Sequence, residues 1–343
     1  MRSRAIYGCA GPELSAAERD FFGAVRPWGF ILFARNIDSP DQVRALIADL
    51  RRSVGDDVAP VLIDQEGGRV ARLKPPHWQD RPPAARFGAA YANHPEKARE
   101  AVYLNARLIA HDLVQLGINV DCLPVLDVPV PGAHDIIGDR AFSADPATVI
   151  DLGRAQIEGL LEGGVLPVMK HIPGHGRAGA DSHLALPRVD ASPEELSASD
   201  FVTFRSLDLC PIAMTAHVVY DSIDPQRPAT TSPKVVRDVI RGEIGFDGLL
   251  ISDDLSMKAL EGPLGARAKA ALFAGCDVVL HCNGNMDEMK QVAAEAKMLD
   301  GVALKRAEQA LAHLNSPVIR GGGPFDPAAA GARLAILLEE ASA

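Results

Sequence analysis

Three stretches of this chain hold side chains able to move protons, donate electron pairs or grip a polar ligand. One is Lys170-His171-Ile172-Pro173-Gly174-His175-Gly176, followed closely by Asp181-Ser182-His183. A second is Ser252-Asp253-Asp254. The third is Asp64-Gln65-Glu66-Gly67-Gly68-Arg69, with Arg72 just beyond it. Asp127, Asp139-Arg140, His217 and Asn283 are placed similarly. Such a set permits several chemistries. Carboxylates and imidazoles together serve nucleophilic and general acid–base catalysis. His171, His175, His183 and His217 with Asp253 would suit a metal-dependent hydrolase. Lys170 would suit a Schiff base with a carbonyl substrate.

The elements that must position these groups are legible from apolar periodicity. Short runs rich in Val, Ile and Leu predict strands over 5–9, 29–33, 60–64, 118–122, 166–170, 211–216, 248–253 and 277–281. Longer amphipathic stretches separate them. Ser39-Pro40, Asp145-Pro146, Ser192-Pro193 and Ser232-Pro233 open helices with an N-cap followed by proline at the first turn. Another helix spans 95–116, with Ala101, Leu104, Leu108, Leu113 and Leu116 on one face. The strands are apolar on both faces, as parallel strands between two packed layers must be. Eight strand–helix repeats predict an α/β fold, a (β/α)8 TIM-type barrel, although periodicity alone also permits a doubly wound sheet with an added domain. The barrel is assigned to residues 1–315 as a single domain. Residues 316–343 form a tail, where Gly321-Gly322-Gly323-Pro324 leads into a short helix over 327–342.

In a barrel, the carboxyl ends of the strands converge on one face, where active sites are built. Strand ends meet solvent and are polar anyway, which accounts for scattered Asn, Ser and Lys. It accounts less well for a Lys-His pair, three further histidines and several carboxylates at the same end. Gly67-Gly68 is not followed by the Gly-Lys-Ser/Thr of a phosphate loop, so it predicts a tight turn.

Composition narrows the partners. The chain has 343 residues, 35 Lys and Arg against 45 Asp and Glu, and a formal charge of −10. With no basic block, binding to nucleic acid or an anionic membrane is not expected. No apolar run reaches the ~20 residues that span a bilayer. The N-terminal Met1-Arg2-Ser3-Arg4 precedes an apolar run too short for a secretory signal. Five scattered cysteines without a Cys-x-x-Cys suggest reduced thiols. The expected location is cytoplasmic.

Taken together and in order, these motifs resemble glycoside hydrolase family 3, in its bacterial β-N-acetylhexosaminidase branch. The resemblance rests on the segment from Lys170 to Gly176, on Asp181-Ser182-His183, and on Ser252-Asp253-Asp254-Leu255-Ser256-Met257. Asp64-Gln65-Glu66-Gly67-Gly68-Arg69-Val70 and Ile137-Gly138-Asp139-Arg140-Ala141-Phe142 fit the same branch. It covers roughly residues 5–315. It implies a (β/α)8 barrel that removes terminal β-linked N-acetylglucosamine with retention of configuration, and a place in cell-wall recycling on muropeptide fragments. It assigns the nucleophile to Asp253 and the acid/base to His183, with Asp181 as partner. An imidazole titrates near neutrality, so it can first give and then take the proton. Sugar hydroxyls fall to Asp64, Arg72, Arg140, Lys170 and His171. Of these, Asp64, Lys170 and His171 are the better placed by pattern, since the arginines would equally serve surface salt bridges. Asp254 is read as a supporting carboxylate or helix cap, and His175 as a shaper of the loop. No cofactor or metal is expected, the partner is a small sugar, and a monomer suffices. A non-catalytic sugar-binding barrel would lack Asp253 or His183, and both are present.

Overall fold

The computed structural model describes residues 1–180, 182, 186–207, 209–315 and 325–340. All eight predicted strands form, and they close into a parallel barrel. In chain order its strands are β1 (Ser3–Gly8), β2 (Pro27–Leu32), β3 (Val61–Ile63), β4 (Val120–Asp121), β5 (Leu166–Ile172), β7 (Ile212–Thr215), β9 (Leu249–Asp254) and β10 (Val278–His281). Each pairs with its sequence neighbour in the barrel, and β1 pairs with β10 to seal it. The doubly wound alternative is thereby excluded. Two further strands, β6 (Arg188–Val189) and β8 (Val219–Tyr220), make a separate parallel ribbon. At two residues each they carry no periodicity that a sequence reading could detect.

The two-residue period of a strand sorts its side chains. Ile6, Ile31, Leu62, Val120, Leu166, Val168, Ile212, Met214, Leu249, Ile251, Val278 and Leu280 belong to one buried cluster, the barrel interior. Their neighbours Tyr7, Phe30, Leu32, Val61, Ile63, Met169, Ala213, Leu250 and Val279 belong to a second cluster shared with the helices. Counting on by two from the interior set reaches Asp64 after Leu62, Lys170 after Val168 and Asp253 after Ile251. The same parity that fills the barrel with hydrocarbon therefore sends one polar side chain from each of these strands into its carboxyl-end mouth.

The helices are α1 (Ala16–Val25), α2 (Pro40–Val54), α3 (Ala84–Tyr91), α4 (Pro95–Leu116), α5 (Pro146–Glu162), α6 (Pro193–Arg205), α7 (Leu264–Ala274), α8 (Met286–Glu295), α9 (Gly301–Ala312) and α10 (Pro327–Glu340). The predicted starts hold. Ser39 caps α2 through the Gln42 amide, Asp145 caps α5, and Ser192 with Glu195 forms a capping box on α6. α2 buries Val43, Leu46, Ile47, Leu50 and Val54, a single stripe at helical spacing, against the barrel wall. α9 sets Ala303, Ala307 and Ala310 among the interior cluster, and its Arg306 pairs with Asp247 and Asp277. Small side chains let it lie close across the amino end of the barrel. α10 buries Leu334, Leu337 and Leu338 and ties to α4 through Arg333–Glu100 and Lys97–Glu340.

One predicted helix takes another form. The segment opened by Ser232-Pro233 becomes a π-helix over Val235–Glu243. Its buried pairs Val235-Val236 and Val239-Ile240, then Ile244, recur every four to five residues.

Candidate active site at the barrel mouth

Strands β3 and β5 bring a line of alternating charges together. The Lys170 ammonium lies 2.9 Å from Asp64 and 2.6 Å from Glu66. Asp64 accepts a second bond from Arg72 at 3.1 Å, and Glu66 is gripped by two nitrogens of Arg140, each at 2.8 Å. The order is Arg72, Asp64, Lys170, Glu66, Arg140. Buried charge is costly unless paired, and here every charge has an opposite neighbour. Burial pushes the Asp64 carboxyl up, but Lys170 and Arg72 outweigh it and hold it below the usual carboxylate range. Glu66 is likewise raised by burial and brought down by Lys170 and Arg140, to about 2. Burial works against the Lys170 ammonium, yet Asp64 and Glu66 more than compensate and raise its pKa. Lys170 is therefore a fixed cation that donates hydrogen bonds.

Both arginines that pattern ranked lower thus belong to this partly buried ion-pair line at the pocket rather than to surface salt bridges. Glu66 was not singled out from sequence as a site residue, although it has the same parity as Asp64 two positions on. Gly67 and Gly68 make the predicted tight turn, with φ of 97° and 55°. A side chain at Gly67 would meet the Pro82 carbonyl at 2.4 Å.

His171 and His175 are held by a carboxylate that pattern also left unassigned. Asp127 is fully buried and accepts from the backbone amides of His171 and His175 at 3.2 and 2.6 Å. Its other oxygen meets His171 Nδ1 at 2.7 Å. Tyr220, carried by the β6–β8 ribbon, donates to the Gly174 carbonyl and braces the same loop.

His175 is buried too, and its Nε2 lies 3.2 Å from Ser182 Oγ. Burial, then the neighbouring His171, lowers its pKa to about 4. Because this native value is below the unfolded one, the unfolded chain binds more protons between about pH 4 and 6.5. The stability that a neutral His175 contributes is complete above pH 6.5 and drains away as pH falls toward 4. On the order of 3 kcal/mol is at stake. Urea unfolding at pH 7 and 4.5 should therefore show a smaller acid loss for His175→Gln than for the wild type. Equal losses would remove this account.

On β9 the two adjacent aspartates are treated differently. Asp254 is committed. It accepts from the amides of Ser256 and Cys282 at 3.0 and 3.1 Å and from Ser256 Oγ at 2.5 Å. That agrees with a supporting role. Asp253 accepts from the Asp254 amide at 2.8 Å and lines the cavity. His217 is turned away, bonded to Thr230 at 2.7 Å and to the Asp254 carbonyl at 3.0 Å.

These groups line one pocket of about 270 Å³. Asp64, Glu66, Arg72, Arg140, Lys170, His171, His175 and Asp253 share its wall with Phe33, Met214 and Met257. Asp181 and His183 lie outside the described residues. Ser182, between them, is described, and its carbonyl accepts from the Ala259 amide at 3.2 Å. Among the described residues no group of three or more His, Cys, Asp or Glu is arranged to hold a metal ion, and no helix is long and apolar enough to cross a membrane.

Residues 24–316 match the model of the glycosyl hydrolase family 3 N-terminal domain. A β-hexosaminidase of Alkalilimnicola ehrlichii is 42% identical over 282 residues, 81% of this chain and 80% of that one. One from Methylobacillus flagellatus is 40% identical over 273 residues, 78% of this chain and 77% of that one. Among solved structures, native NagZ from Neisseria gonorrhoeae superimposes with a TM-score of 0.86 at 31% identity, covering 98% of both chains. That enzyme has also been crystallised with N-trifluoroacetyl-D-glucosamine.

Proposed function

The chain belongs to glycosyl hydrolase family 3 as a β-hexosaminidase, and from that premise we propose that it is an exo-acting, retaining β-N-acetylglucosaminidase. The observation that carries the reading is the convergence of Asp253, the Asp64–Lys170 pair and His171 on one pocket at the carboxyl ends of the strands. The natural substrate we propose is a cell-wall muropeptide fragment with a terminal β-linked N-acetylglucosamine. Hydrolysis would proceed in the cytoplasm, as a monomer, without metal or cofactor, on a barrel formed by residues 1–315.

Asp64, Arg72, Arg140, Lys170 and His171 hold the sugar hydroxyls in this scheme. Lys170 and Arg72 donate, and their charge is already balanced by Asp64 and Glu66, so a neutral ligand does not meet an uncompensated field. Asp253 attacks the anomeric carbon from the face opposite the aglycone. The C1–O bond to the aglycone breaks as His183 gives its proton to the departing oxygen. A glycosyl ester on Asp253 results. Water then attacks the same carbon, giving a proton back to His183, and the ester bond breaks to restore the Asp253 carboxylate. Two inversions leave the product β. Asp181 serves His183 by fixing its tautomer. A carboxylate at the end of a barrel strand meets the oxocarbenium-like centre with little reorganisation.

Paired aryl β-N-acetylglucosaminide and β-glucoside substrates test this, with the anomer of the first-formed sugar followed by NMR. Preferential hydrolysis of the glucosaminide with β product first is expected. An α first product, or preference for the glucoside, would refute the reading.

A further inference from the structure

Most polar groups that face the pocket can play only one part toward a hydroxyl. Lys170, Arg72 and Arg140 are donors without an acceptor. Glu66 has both oxygens engaged by Lys170 and Arg140, and Asp64 has one on Lys170 and one on Arg72. Asp64 keeps lone pairs for one donating hydroxyl, since a carboxylate has about four acceptor sites, and a further donating hydroxyl needs an acceptor of its own.

His171 can be that acceptor, and Asp127 decides whether it is. Burial raises the Asp127 carboxyl, but the His171 ring and the hydrogen bonds around it prevail and keep it below its ordinary pKa. The group is therefore a carboxylate, which accepts and never donates. Its Oδ1 already takes two backbone amides, those of His171 and His175. Its Oδ2 faces His171 Nδ1 at 2.7 Å, so the ring proton belongs on Nδ1. Nε2 has no hydrogen-bond partner among the described residues, and the ring lines the pocket. We propose that Asp127 is a positioning residue that holds His171 in the Nδ1–H tautomer, so that Nε2 accepts a hydrogen bond from a sugar hydroxyl. This rests on the reading of the pocket as a glucosaminide site and adds to it the direction of one hydrogen bond and the residue that sets it.

The geometry also explains why a carboxylate is needed there. An asparagine has one carbonyl oxygen. Serving the two backbone amides uses it, and its NH2 is then turned to Nδ1. The imidazole proton moves to Nε2, and the acceptor in the pocket becomes a donor.

Long-range proton–nitrogen correlation of uniformly 15N-labelled protein tests this, with the His171 signals assigned by their loss in His171→Gln. In the resting wild type with a neutral His171 ring, the proton is expected on Nδ1. In Asp127→Asn it should appear on Nε2, with KM for an aryl β-N-acetylglucosaminide rising roughly tenfold or more and kcat changing less. A wild-type proton on Nε2 would overturn the proposal. So would an Asp127→Asn protein that keeps the wild-type tautomer, or one that switches with KM unchanged. Should that variant fail to fold, the wild-type spectrum decides by itself. The tautomer is read without substrate, so its failure stands apart from a failure of the glucosaminidase reading, which the product analysis tests.

Discussion

Asp253→Ala is expected to lower kcat/KM on an aryl β-N-acetylglucosaminide by at least about 10⁴-fold, more than 5 kcal/mol of transition-state stabilisation at about 1.36 kcal/mol per decade. The covalent step has no substitute nucleophile close by, because the neighbouring Asp254 carboxylate already serves two amides and the Ser256 hydroxyl. The fold should survive, since β9 is held by backbone pairing to β7 and β10 and by the buried Leu249, Leu250 and Ile251. Added azide, small enough to enter the vacated space, should restore turnover and give the α-glycosyl azide. Undiminished activity, or a loss equalled by Asp254→Ala in a folded protein, would remove Asp253 from the nucleophile's role.

His183→Ala is expected to divide substrates by their leaving groups. A poor leaving group must receive a proton as the bond breaks, so its kcat/KM should fall about 10²–10⁴-fold. A dinitrophenyl leaving group departs unprotonated, so its kcat/KM should change little. Its kcat should still fall, because the second step loses its base, and a glycosyl-enzyme should accumulate that mass spectrometry can detect on the peptide carrying Asp253. Equal losses in kcat/KM on both substrates would argue that His183 binds or shapes rather than transfers a proton.

Much of the barrel was legible before any coordinates. Each strand is an apolar run set off by longer amphipathic stretches, and a parallel strand buried on both faces needs little else to be recognised. The helix starts were legible for a similar reason, since a serine or aspartate cap followed by proline acts within four residues. The π-helix and the β6–β8 ribbon were not. The first differs from an α-helix by less than one residue per turn, and the second is held by contacts across about thirty residues rather than by a local pattern.

The site divides along the same line. The chemical types at the strand ends, and the parity that sends Asp64, Lys170 and Asp253 inward, were present in the order of residues. Which partner each carboxylate meets was not. Asp64 lies 106 residues from Lys170, Glu66 lies 74 from Arg140, and Asp127 lies 44 from the ring it faces. The sequence by itself determined an inventory of groups, their order around a barrel and the family to which that order belongs. Only the tertiary structure decided that Glu66 and Asp254 are committed, that Arg72 and Arg140 are drawn inward, and that Asp127 stands behind His171. Desolvation and Coulomb energy depend on distance through space, and chain closure alone sets those distances.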